Sequence, residues 1–219
     1  PFGAMGLEVL DKITTDNVLP ELKDCTFRIA CDVTNTLCGE QGCSAIFGPQ
    51  KGATPTMILQ MDKWLAYYAT LAREIFPHAN PKAAGSGAAG GLGFAFMTFL
   101  NGTLESGIKI VLEETRLSDY IKDADIVVTG EGATDWQSVF GKVMQGVGVH
   151  CKKRHIPAVA IVGSMGSGAE DIFDYGIESI ITTVNNIMPL SDALNHAEEL
   201  YLGAARRMFR LLKAGMQMR

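Results

Sequence analysis

The sequence has 219 residues, 47% hydrophobic and 20% charged, a balance that supports a folded core and argues against disorder. A net charge of −5 with no basic block argues against nucleic acid as a partner. No apolar run is long enough to cross a bilayer and no charged-apolar-small leader opens the chain, so a cytoplasmic protein without a membrane partner is expected.

The chain opens on Pro1-Phe2-Gly3-Ala4 without an initiator Met, which suggests a fragment or a processed product. Residues 27–33 alternate Phe27, Ile29, Cys31 and Val33 with Arg28, Ala30 and Asp32, the period of a strand. The polar, Gly-rich stretch 34–54 reads as a loop. Thr54 then stands as an N-cap before Pro55 at the first helical position. Ile58, Met61, Leu65, Tyr68 and Ile75 keep helical spacing up to Pro77, which ends the helix. Residues 77–93 read as a loop closing on a glycine run, 94–100 as a short buried helix, and 108–114 as the start of another. The five cysteines (Cys25, Cys31, Cys38, Cys43, Cys151) form an odd set without a zinc-site pattern, so reduced thiols are expected.

The organisation changes near residue 122. Apolar, β-branched runs at 124–129, 158–162 and 179–184 read as strands, the first two buried on both faces. Helical stretches at 142–154 and 169–175 separate them, the order expected of a parallel sheet with helical crossovers. A last helix, Ser191 to about Lys213, puts Leu194, Ala197, Leu200, Ala204, Met208 and Leu211 on one face. The fold class is therefore α/β. Residues 1–120 read as part of a second α/β domain carrying loops of a substrate cleft, and 121–219 as a Rossmann-like parallel half-domain. Three strand–helix units are few for a doubly wound domain, so further strands are expected from upstream sequence or another chain.

In parallel α/β sheets ligands bind beyond the carboxyl ends of the strands. Asp32 and Asn35 emerge together there, toward a ligand or into an Asx turn. Glu131, Asp135 and Gln137 follow closely on Gly130, within eight positions. The two acids can hold Mg²⁺ or act as a base toward a hydroxyl; alternatively Asp135 caps a helix and Glu131 lies on the surface. Gly163 and Ser164 open a Gly/Ser turn before a helix, where backbone N–H groups suit phosphate. Gly87, Gly90 and Gly91 lie in a run without a bulky side chain before Leu92, either to approach an anion or to let a helix pack closely. Lys51 and Lys142 are cations able to neutralise phosphate, or simply solvated. No GxGxxG, P-loop or nucleophile-elbow pattern appears, which removes the fingerprint that a nucleotide-dependent dehydrogenase would need.

The segments CDVTNTLCG (31–39), FGPQKGAT (47–54) and GSGAAGGLG (85–93), with 129–146 and 161–166, resemble in order the motifs of the bacterial glycerate kinase family across essentially the whole chain. The resemblance implies a two-domain α/β kinase that transfers the γ-phosphate of ATP to D-glycerate with Mg²⁺, giving 2-phosphoglycerate at a cleft between the domains. It implies catalytic roles for Asp32, Glu131, Asp135 and Lys142, with Asp32 and Asp135 as metal ligands. Substrate or phosphate contacts would come from Asn35, Lys51, Gly87, Gly90, Gly91, Gln137, Gly163 and Ser164. The family's N-terminal segment has no counterpart here, so the chain is expected to be inactive alone and to need that segment or a homo-oligomer; a non-catalytic sugar-acid-binding or regulatory remnant is the alternative. Thr36, Ala133 and Met144 depart from the family pattern, standing where proline, a basic residue and proline are common.

Overall fold

The alternation at 27–33 produces a strand of only three residues, β1 (Arg28–Ala30), which pairs in parallel with the equally short β2 (Thr103–Glu105). The β2 strand carries no sequence signal of its own. Arg28 locks the pair by forking onto Glu105, Nε to Oε1 at 2.7 Å and Nη2 to Oε2 at 3.1 Å. This computed structural model describes residues 3–218; Pro1 and Phe2, which open the sequence without Met, lie outside them. The chain forms two units, Pro1–Ile110 and Val111–Arg219.

In the first unit the stretch expected to be loop holds a short helix, α1 (Cys43–Phe47), and a 3-10 turn at Pro49–Lys51. Five helical residues are too few to display a period, which is why the sequence hides them. Helix α2 (Pro55–Ile75) begins as expected: the Thr54 hydroxyl accepts from the Met57 N–H at 3.3 Å, with Pro55 at the first turn. Its inward face is Leu65, Ala69 and Ala72, packed with fully buried Leu37 and Phe94. The ring of Tyr68 meets Phe94 edge-on at 5.4 Å. Phe94 belongs to α3 (Leu92–Phe99), and α4 (Gly107–Glu114) spans the division between the units.

The second unit opens with α5 (Leu117–Ile121) and has a parallel sheet in the order β3 (Val127–Thr129), β5 (Ala158–Val162), β7 (Ile177–Thr182). All five residues of β5 are buried because it lies between the other two strands. β3 pairs with β5 alone among the described residues, so Val128 is exposed and the expected burial on both faces does not hold there. Beyond the strand ends, β4 (Ala133–Thr134) pairs with β6 (Ser164–Met165). Helix α6 (Val143–Lys152) links the first two sheet strands, and a 3-10 stretch, Ala169–Tyr175, the next two.

The last helix is two: α7 (Leu190–Asn195) and α8 (Ala197–Gly215), parted where His196 leaves helical geometry at φ −111° and ψ 22°. Ala204 and Met208 of the expected face, joined by Leu212, pack against Val159 and Ile161, whereas Leu194 and Leu211 are exposed. No helix among the described residues is long and apolar enough to cross a membrane.

Candidate active site

The chain continues past the carboxyl ends of β3 and β5 as two adjacent segments. Gly163 and Ser164 donate their N–H groups to the carbonyls of Glu131 and Gly132, each at 3.2 Å. A Cβ at Gly163 would lie 2.2 Å from the Gly132 oxygen, so this contact admits only glycine. Those two N–H groups are committed to the neighbouring segment, and the anion-facing role expected of them has no open donor there.

The same crossing presents the two acids. Asp135 caps a 3-10 turn, Trp136–Val139: its Oδ1 accepts from the Gln137 N–H at 2.8 Å, and its own N–H donates to Ser138 Oγ at 3.2 Å in a capping box. The capping alternative for Asp135 is thus realised, yet its Oδ2 accepts no hydrogen bond among the described residues. Glu131 is half-buried rather than a plain surface acid. Its Oε1 accepts a short hydrogen bond from Ser138 Oγ, and Ser138 in turn accepts from Thr134 Oγ1 at 2.8 Å. Ser138 and Thr134 are both fully buried. Neither stood out in the sequence; the available signal was a hydroxyl three positions after an N-capping Asp. Gln137 and Lys142 are exposed nearby in the chain, with Lys142 immediately before α6.

In the first unit, Asp32 Oδ1 accepts from the Gly107 N–H at 2.9 Å, satisfying a free donor at the start of α4. Asn35 closes its own turn, Nδ2 donating to the Gln41 carbonyl at 3.2 Å, while its carbonyl accepts from the Gly87 N–H at 2.9 Å. The Gly87 N–H therefore holds two loops together, and the Gly91 N–H bonds to Ala88 O at 3.2 Å. Gly90 differs. It is exposed, adopts φ +72°, and shares the wall of a cavity of about 630 Å³ with Lys51, Phe47, Met57, Met61 and Leu65. Its neighbour Ala89 also holds a left-handed backbone, φ 49° and ψ 42°, sparsely populated by a residue with a Cβ. Of the glycines in this run, Gly90 is the one that faces open space.

No cluster of three or more His, Cys, Asp or Glu side chains converges among the described residues, so an all-protein metal cage is absent from them. Mg²⁺ seldom uses such a cage: it takes one or two carboxylates and fills its shell with water and phosphate oxygens. The open oxygen of Asp135 fits that demand.

A sequence profile of the glycerate kinase family matches residues 1–213. The chain is 41% identical over 217 residues to a glycerate 2-kinase of Escherichia coli (strain K12), covering 99% of this chain and 57% of that protein. It is 40% identical over 211 residues to a glycerate kinase of Haemophilus influenzae, covering 96% and 56% respectively. A crystal structure from Salmonella typhimurium LT2, provisionally assigned as glycerate kinase 2, superposes with a TM-score of 0.84 at 40% identity, over 99% of this chain and 56% of that one. The chain thus spans little more than half the length of these relatives.

Proposed function

The chain belongs to the glycerate kinase family, and from that premise we propose that it carries part of the machinery transferring the γ-phosphate of ATP to D-glycerate, giving 2-phosphoglycerate and ADP. Turnover is assigned to the natural protein over its full length, because the chain covers 57% of the E. coli relative. The observation that carries this reading is the pair Glu131 and Asp135 beyond the end of β3, each pinned by one carboxylate oxygen and open at the other.

Phosphoryl transfer asks a protein mainly for positioning and charge neutralisation. On this reading Glu131 Oε2 accepts the proton of a glycerate hydroxyl and Asp135 Oδ2 holds Mg²⁺, because each is the carboxylate oxygen that no hydrogen bond among the described residues occupies. Mg²⁺, when bound, neutralises charge on the transferring phosphates. In the first unit Asp32 and Asn35, and in the second unit Gln137, each retain a polar atom able to meet a hydroxyl. Lys51 in the first unit and Lys142 in the second are each exposed and without an ion pair among the described residues, so each is a cation available to an anionic group. The cavity beside Lys51 and Gly90 is too large and too apolar for a three-carbon acid; Met57, Met61 and Phe47 suit the faces of a purine instead. The reading is tested by D-glycerate-dependent ADP release from the full natural protein and its Glu131→Ala and Asp135→Ala variants. A loss of about 100-fold or more in kcat is expected for each; near-normal turnover in either removes that residue from the site.

A further inference from the structure

Ser138 has a hydroxyl whose hydrogen-bonding capacity is completely used. A hydroxyl offers one proton and accepts two hydrogen bonds. The Asp135 N–H can only donate, at 3.2 Å, and takes one acceptor position. Thr134 Oγ1 donates at 2.8 Å and takes the other. The single proton of Ser138 is left for Glu131 Oε1. The direction of every bond in this chain is therefore forced, provided Glu131 is a carboxylate, which only accepts. Ser138 and Thr134 are fully buried, so no water competes for these positions.

We propose that Ser138 is a positioning residue for phosphoryl transfer: its hydroxyl, loaded by Thr134 and the Asp135 N–H, pins Oε1 of Glu131 and so aims Oε2 at the substrate. This rests on the reading of Glu131 as the group that meets the glycerate hydroxyl. The same hydroxyl ties Glu131 to the backbone of Asp135, so the two acids keep a fixed relation although four positions separate them. Thr134 has a lesser part. Without its hydroxyl, Ser138 still receives the Asp135 N–H and its proton still goes to Glu131. Thr134 also lies 3.7 Å from Met144 Sδ, a second acceptor for its proton if Ser138 is removed.

The test uses the full natural protein with Ser138→Ala, Ser138→Thr and Thr134→Val, all checked for a cooperative thermal transition. Ser138→Ala is expected to lower kcat about 10- to 100-fold, the effect of a misplaced reacting group, with KM for ATP within about 3-fold of wild type. Ser138→Thr, which keeps the hydroxyl, should recover most of the loss, and Thr134→Val should lose far less than Ser138→Ala. Crystal structures of the wild type and Ser138→Ala give a second readout that needs no activity: the Glu131 carboxylate should leave its single orientation in the variant. Unchanged kcat in Ser138→Ala, or an unmoved Glu131 in its crystal structure, overturns the proposal. Absence of glycerate phosphorylation by wild type refutes the functional reading instead, and the crystal comparison then decides alone whether Ser138 positions Glu131.

Discussion

Glu105 shows how a single side chain can join two short strands. The Arg28 guanidinium and then the Lys109 ammonium, 2.6 Å from Oε2, hold its carboxyl down from 4.5 to about 2. A carboxyl held down in the folded protein stabilises it most above pH 4.5, and that contribution is lost as pH falls toward about 2. Glu105→Gln should therefore flatten the decline of unfolding free energy across that acid window, as measured by urea titrations at stepped pH; parallel profiles for variant and wild type would contradict this. The thiols behave oppositely. Burial, with Asp62 adding to it, pushes Cys38 up to about 12, and burial also raises Cys43 and Cys151. Thiolate is disfavoured at these three positions, and none of the five cysteines is joined in a disulfide.

Elements formed where local chemistry and packing agree. Helix α2 is the clearest case, with a capping threonine, a proline at the first turn and an apolar face at spacings of four and three over Leu65, Ala69 and Ala72. Thr54→Ala should cost about 1 kcal/mol by leaving a helix N–H without its side-chain acceptor, measurable by denaturant unfolding. No detectable change would mean that water replaces the hydroxyl fully. Short elements went unread for the converse reason. β2, β4, β6 and α1 each have two to five residues, and neighbouring backbone rather than periodicity makes them regular. Along the last two helices spacing picked out Ala204 and Met208, which contact with β5 buries. It also took in Leu194 of α7 and Leu211 of α8, which lie exposed because no element among the described residues packs over them.

For the whole molecule, each unit gathers its own core. Phe94, fully buried with Leu37 against α2, anchors the first. Phe94→Ala should cost about 3–5 kcal/mol, because the helix backbones around it cannot close over the space left behind. A loss under about 1 kcal/mol in equilibrium unfolding would show that this core relaxes freely. In the second unit the sheet and α8 share Val159, Ile161, Ala204 and Met208.

The sequence by itself determined the α/β class, the buried strand β5, the start of α2 and, through ordered motifs, the family. The class, the strand and the helix start follow from composition, periodicity and capping, which act over a few neighbouring residues, and the family from motifs kept in order along the chain. It also marked Glu131 and Asp135 as chemically notable beyond a strand end. Only the tertiary structure decided what those acids touch. Ser138 and Thr134 become their supports because a capped turn folds a buried hydroxyl back onto Glu131. Gly163 and Ser164 lose their open N–H groups because β6 runs beside the segment holding Glu131. Such facts depend on which backbone crosses which, a property of the packed chain that no local pattern of residues encodes.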